Sequence, residues 1–148
     1  MDNLNLSYKE LIKNTKSNLT LMANTSAFIM TNYAHLNWVG FYLYDGHETL
    51  LLGPFQGKVA CEEIKVGSGV CGMAFFDNKI INVPNVNKFN GHIVCDSNSK
   101  SELVFPLIKD GVKIGVLDID SYLFNRFDED IIKELTSLVN AFLNYYQV

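Results

Sequence analysis

The sequence has little of what would tie it to nucleic acid, a membrane or the cell exterior. Its 12 basic residues are outnumbered by 16 acidic ones, for a net charge of −4. No run of Lys or Arg exceeds two neighbours, so the electrostatic footprint of a phosphate-backbone binder is missing. No segment approaches the roughly 18 consecutive apolar residues of a membrane span. The opening "MDNLNLSYKELIKNTK" is polar where a signal peptide carries an apolar run. There is no internal repeat, low-complexity tract or Pro/Gly-rich linker, and we expect one domain over residues 1–148. The 3 cysteines include no C-x-x-C pair. An odd cysteine count without an export signal leads us to expect a reducing cytoplasm and no obligatory disulfide scaffold. Small molecules or protein partners remain as ligands.

Apolar residues make up 48% of the chain, enough for a real core. Leu19, Met22, Ala23, Ile29, Met30 and Tyr33 fall at helical spacing and predict an amphipathic helix from Leu19 to Leu36, after a shorter one around Tyr8 to Thr15. "WVGFYLY", a turn at Asp45-Gly46 and "ETLLLG" then read as a hairpin. Strands are expected at "CEEIKV" and "IINVP", with a short helix in "GSGVCGMAFFDNK" between them. "LVFPLI", "KDG" and "VKIGVLDID" form the clearest hairpin. A last helix starts at the N-cap Asp128 and carries Ile132, Leu135, Val139, Phe142 and Tyr146 on one stripe. Helices at both ends of five or six hairpin-linked strands predict an α+β sandwich with an antiparallel sheet.

Cys61, Cys71 and Cys95 admit three readings. Each can fill core space as a small apolar side chain, which suits Cys71 in "GVCGMAFF" and fits Cys95 poorly in "GHIVCDSNSKSE". With His92 they could ligate zinc, although the spacing matches no standard zinc pattern. They could also do redox chemistry, which needs an accessible thiolate and a second thiol to resolve it. Asp96 alone would raise the Cys95 pKa, so compensation must come from elsewhere.

The carboxylates Asp118 and Asp120 are two apart in "GVLDIDS" and therefore share a strand face. The hairpin register decides where Glu102 lies. A three-residue loop Lys109-Asp110-Gly111 pairs Ile108 with Val112 and sets Glu102 opposite Asp118, on the face that also carries Val104, Val116 and Ile114. A two-residue loop would turn Glu102 to the other face. Because that face is partly apolar we expect the first arrangement, a half-buried acidic cup, whose closely held like charges need a cation or a raised pKa. Trp38, Gly40, Tyr42 and Tyr44 alternate onto one face of their strand. They are core aromatics, or Trp38 and Tyr42 wall a small ligand. "LGPFQGKVAC" and "GSGVCG" match no nucleotide-binding pattern.

Taken together, "NWVGFYL", "LGPFQGKVAC", "GVCG", "GHIVCDSNSKSE" and "GVLDIDS" resemble the free methionine-(R)-sulfoxide reductases, stand-alone GAF-domain enzymes, from about Asn37 to Ser121. The resemblance implies a GAF fold: a central antiparallel sheet of about six strands, terminal helices on one face and a loop-lined pocket on the other. It implies Cys95 as nucleophile, Cys61 as main resolving cysteine and Cys71 as auxiliary thiol. Glu102, Asp118 and Asp120 match the substrate-binding and acid-assisting carboxylates, and Trp38 and Tyr42 the aromatic wall. It implies no metal and no bound cofactor, with thioredoxin as external reductant, supplied by NADPH and thioredoxin reductase. A homodimer packed through helices is implied as well, although the last helix's stripe could equally cover the sheet. The alternative in a different class is a GAF module that senses a small ligand or redox state and acts on a partner in trans.

Overall fold

The computed structural model describes residues 3–91 and 98–148. His92, Cys95 and Asp96 lie outside them. The order of elements is α1 (Asn3–Ile12), α2 (Asn18–Asn32), β1 (Leu36–Tyr44), β2 (Thr49–Gly57), β3 (Glu63–Lys65), α3 (Gly69–Asp77), β4 (Ile81–Val83), β5 (Ser101–Lys109), β6 (Val112–Ser121) and α4 (Glu129–Tyr145). The six strands form one sheet in the order β3-β2-β1-β6-β5-β4, and every neighbouring pair is antiparallel. The expected α+β sandwich is present. Among the described residues no helix is long and apolar enough to cross a membrane.

Strand alternation divides the apolar residues between two cores. Val39, Phe41, Leu103, Phe105, Leu107, Leu117 and Ile119 pack against α1, α2 and α4. Trp38, Tyr42, Val104 and Val116 face the other way and are roofed by Val70, Cys71, Ala74 and Phe75 of α3. The predicted stripe of α4 is spent on the first core: Leu135, Val139 and Phe142 are buried, with Ile132 and Tyr146 packed beside them. Its N-cap is as expected, Asp128 accepting from the Ile131 amide at 2.9 Å. Two helix expectations shift. Chain reversal ends α2 at Asn32, since Leu36 already belongs to β1. Leu19 is 67% exposed, because Leu21, Met22, Thr25, Ser26 and Ile29 form the buried face.

The β5–β6 hairpin corrects the expected register and still delivers its consequence. The turn is the two-residue Asp110-Gly111, with Lys109 paired to Val112 and Ile108 to Lys113. Both turn residues have positive φ, 51° and 77°, as a type I′ turn requires. That turn alone would place Glu102 on the helix-covered face. A bulge intervenes, because Leu107 pairs with Gly115 and leaves Ile114 as an extra residue. The parity is restored, and Glu102 pairs with Asp120 rather than Asp118. Ile114 itself is displaced into the α1/α2/α4 core instead of sharing the face of Val104 and Val116.

Gly115 makes the bulge possible. Its φ is 153°, and a Cβ there would meet the Tyr42 carbonyl oxygen at 2.0 Å and the Leu43 Cα at 2.9 Å. Neither backbone atom can move without parting β1 from β6. Gly115→Ala is expected to cost about 2–4 kcal/mol from overpacking and backbone strain. Urea unfolding followed by circular dichroism would show a lowered midpoint at unchanged slope.

Candidate active site

Glu102, Asp118 and Asp120 lie together under α3, with exposures of 7%, 6% and 8%. Strand pairing puts Glu102 beside Asp120, and sets Trp38 against Asp120 and Gly40 against Asp118 on the β1 side. The expected acidic cup is therefore formed, and it is more deeply buried than half. Burial, then the charges of Asp120 and Glu102, holds the Asp118 carboxyl well above the usual carboxylate range. Asp118 Oδ1 is buried and accepts no hydrogen bond.

Cys71 reaches the cup from the first turns of α3. Its thiol points at Glu102 Oε2 across 4.0 Å, a weak hydrogen bond. Burial, followed by the charges of Asp118 and Glu102, pushes the thiol pKa well up. A thiol so held stays protonated and is a poor nucleophile. Cys61 differs: it is half-buried between β2 and β3 and is disulfide-bonded, while Cys71 is free. A disulfide sulfur is not a thiolate ligand, so zinc bound by all three cysteines is inconsistent with this state. Cys95 and His92 fall outside the described residues.

The aromatic residues follow the core reading. Trp38 and Tyr42 are buried core residues, at 2% and 1% exposure. Trp38 stacks between Phe55, at 5.2 Å, and Tyr42, at 5.9 Å between ring centroids. Gly40 allows this, since a Cβ there would lie 2.3 Å from Phe55 Cβ and 2.7 Å from the indole. The space left by the missing side chain at Gly40 is filled by Trp38 and Phe55. The polar tips hold the segment that carries Cys61: Trp38 Nε1 donates to the Lys58 carbonyl at 3.1 Å and Tyr42 Oη to the Cys61 carbonyl at 2.9 Å. Phe55 was missed by sequence reasoning, and its signal was its place in "GPFQG" across from Gly40.

The polar loop is tied at its far end. Asn37 Nδ2 donates to Ser99 Oγ at 3.0 Å, and the Lys100 amide to the Ser121 carbonyl at 2.7 Å. The following residues, Ser101 and Glu102, then enter β5 beside the acids.

The family model for the GAF domain matches residues 18–143. The chain is 46% identical over 136 residues to the free methionine-R-sulfoxide reductase of Escherichia coli K12, covering 92% of this chain and 82% of that protein. The chain belongs to the free methionine-R-sulfoxide reductase family. The Saccharomyces cerevisiae free methionine-R-sulfoxide reductase is 42% identical, with coverage of 95% of this chain and 83% of that one. Among solved structures, the free methionine-R-sulfoxide reductase of Neisseria meningitidis in complex with its substrate superposes with a TM-score of 0.92 at 36% identity, covering 97% of this chain and 86% of that chain. The family assignment and GAF fold read from the motifs are thus borne out.

The raised Asp118 pKa has a consequence for stability. A carboxyl whose folded pKa lies above its unfolded value of 3.8 favours folding below that value, and the advantage is lost as pH rises through the folded pKa. Stability should therefore decline with rising pH above about 4, and Asp118→Asn should flatten the decline. Thermal melts across a pH series would show it; a variant with the parental slope would contradict it.

Proposed function

We propose that this chain reduces free L-methionine-(R)-sulfoxide to methionine. The observation that carries the proposal is the convergence of Glu102, Asp118 and Asp120 in one buried cup whose Asp118 favours the protonated form. A sulfoxide sulfur becomes electrophilic when its oxygen takes a proton, and a neutral carboxyl can supply that proton. The remaining carboxyl groups hold the α-ammonium of the free amino acid. A peptide-bound residue lacks that charge, and the cup selects against it.

Cys95 is the proposed nucleophile. Its thiolate attacks the activated sulfur, the S–O oxygen passes to Cys95 as a sulfenic acid, and methionine leaves. The Cys61 thiol then condenses with the sulfenic acid, releasing water and forming a disulfide. Thioredoxin, kept reduced by NADPH and thioredoxin reductase, returns both thiols by exchange. The disulfide-bonded state of Cys61, against the free and acid-surrounded Cys71, supports Cys61 as the resolving thiol. Trp38 and Tyr42 contribute by stacking on each other and holding the Cys61 segment.

Purified protein with thioredoxin, its reductase and NADPH is expected to consume NADPH with the free R sulfoxide and not with the S form. Cys95→Ser should abolish turnover, and Cys61→Ser should release a single methionine per chain without thioredoxin-supported cycling. No NADPH consumption with the R form would sink the proposal. Pairing of two copies belongs to the same reading, and the exposed Leu6, Leu11 and Leu19 on α1 and α2 support it. Light scattering should report twice the mass of 16.7 kDa, and a charged residue at Leu19 should shift it toward the monomer.

A further inference from the structure

Cys71, Glu102 and Asp118 bring one sulfur and two carboxylate oxygens, from α3, β5 and β6, within 4.8 Å of one another. We propose that these three side chains bind a thiophilic divalent cation of the zinc class, and that the ion competes with the substrate for the acidic cup. Around a tetrahedral zinc, sulfur at about 2.3 Å and oxygen at about 2.0–2.2 Å lie roughly 3–4 Å apart. Cys71 Sγ and Glu102 Oε2 are already at 4.0 Å. Closing the remaining gap needs only small side-chain rotations on fixed elements.

A second observation points to a ligand at this place. Asp118 is 6% exposed and its Oδ1 is buried with no hydrogen-bond partner. A buried acceptor of this kind is rare unless something binds it. The charge count agrees, since one thiolate and two carboxylates exceed the charge of a divalent ion by only one. The Cys71 proton, and the proton held by the Asp118 carboxyl, leave to solvent as the bonds to the metal form. The sulfur sets selectivity: thiolate ligands suit zinc, cadmium and cobalt, whereas magnesium and calcium require oxygen.

The site is also separate from the redox pair. Cys71 is a free thiol in the state in which Cys61 is disulfide-bonded. The ion can therefore bind the oxidised protein, in which a thiol in the redox pair is no longer available as a ligand. Only the competition rests on the substrate reading given above; the ion site stands on geometry.

The test uses the full chain, stripped with a chelator that is then removed, in the Cys61-disulfide form. Calorimetry with Zn2+ is expected to give one ion per chain, and Co2+ a thiolate charge-transfer absorption. Cys71→Ser should lose the absorption, and Asp118→Asn should weaken zinc by at least the roughly 10-fold that even an outer-shell loss costs. Both variants are near-isosteric, and their melts establish that they fold. Saturating free methionine sulfoxide should weaken zinc about 10-fold or more, since the two share carboxylates. Absence of zinc binding, or charge transfer that survives Cys71→Ser, overturns the site while leaving reductase activity to its own assay. Zinc binding indifferent to the sulfoxide overturns the competition and counts against the cup as the substrate's ammonium site.

Discussion

Burying Glu102, Asp118 and Asp120 side by side is the costly arrangement on which the rest of this structure turns. Carboxylates removed from water and held near one another cannot all stay ionised without a counter-charge. The fold nevertheless pays attention to keeping them there. A bulge at Ile114 corrects the parity of a two-residue turn so that Glu102 faces its partners. Gly115 accepts a backbone conformation that other residues avoid, and lies too close to β1 for a side chain. The short α3 roofs the same face while three longer helices serve the opposite one. Beneath α3 the three acids are only 6–8% exposed. That raises the affinity of the cup for a proton or a cationic ligand.

The cup is coupled to the Cys61 segment through Tyr42. Burial, then the charges of Asp118 and Cys71 and of the other acids, raises the phenol pKa beyond its usual value. The hydroxyl therefore remains a donor at any pH at which the protein works, and its bond to the Cys61 carbonyl persists. The same negative field that loads Asp118 with a proton fixes this donor. Trp38 does parallel work through its indole N–H, which has no ionised form to lose in this range. The aromatic stack is thus both core and positioning device.

Much of this was legible in the sequence wherever a strict period applied. Alternation put Asp118 with Asp120 and Trp38 with Tyr42, and three-four spacing marked the α4 face. The failures came where local irregularity broke a period. No pattern in "LIKDGVKIGV" reveals that Ile114 is extra, because β-branched Ile fits a regular strand as well as a bulge. Counting through the turn gave the right face for Glu102 with the wrong partner, two compensating departures from regularity having restored the parity. Leu19 misled for another reason: periodicity identifies a stripe, and the buried polar residues Thr25 and Ser26 moved the true face around the helix. Ser26 can be buried because its hydroxyl donates to the Met22 carbonyl at 2.9 Å.

The environment of Cys71 also argues for where a nucleophile belongs. The burial, and then the negative field, that raise the Asp118 pKa act on any thiol within the cup, and Cys71 shows the result in a strongly raised pKa. A proton donor and a thiolate are thus incompatible in the same buried volume. In the proposed reaction, separating them along the sequence resolves the conflict, with the donor in β6 and the attacking sulfur in the polar stretch "GHIVCDSNSKSE". The stretch from Gly91 to Ser99 has that composition, and Asn37 and Ser121 tether its far end beside the acids. In the proposed reaction the thiolate of Cys95 meets the activated sulfur only when substrate fills the cup. The substrate's ammonium then offsets the negative field at the moment the thiolate approaches. The acidic cup would in this way serve the nucleophile only when occupied, which ties thiol reactivity to the presence of the sulfoxide.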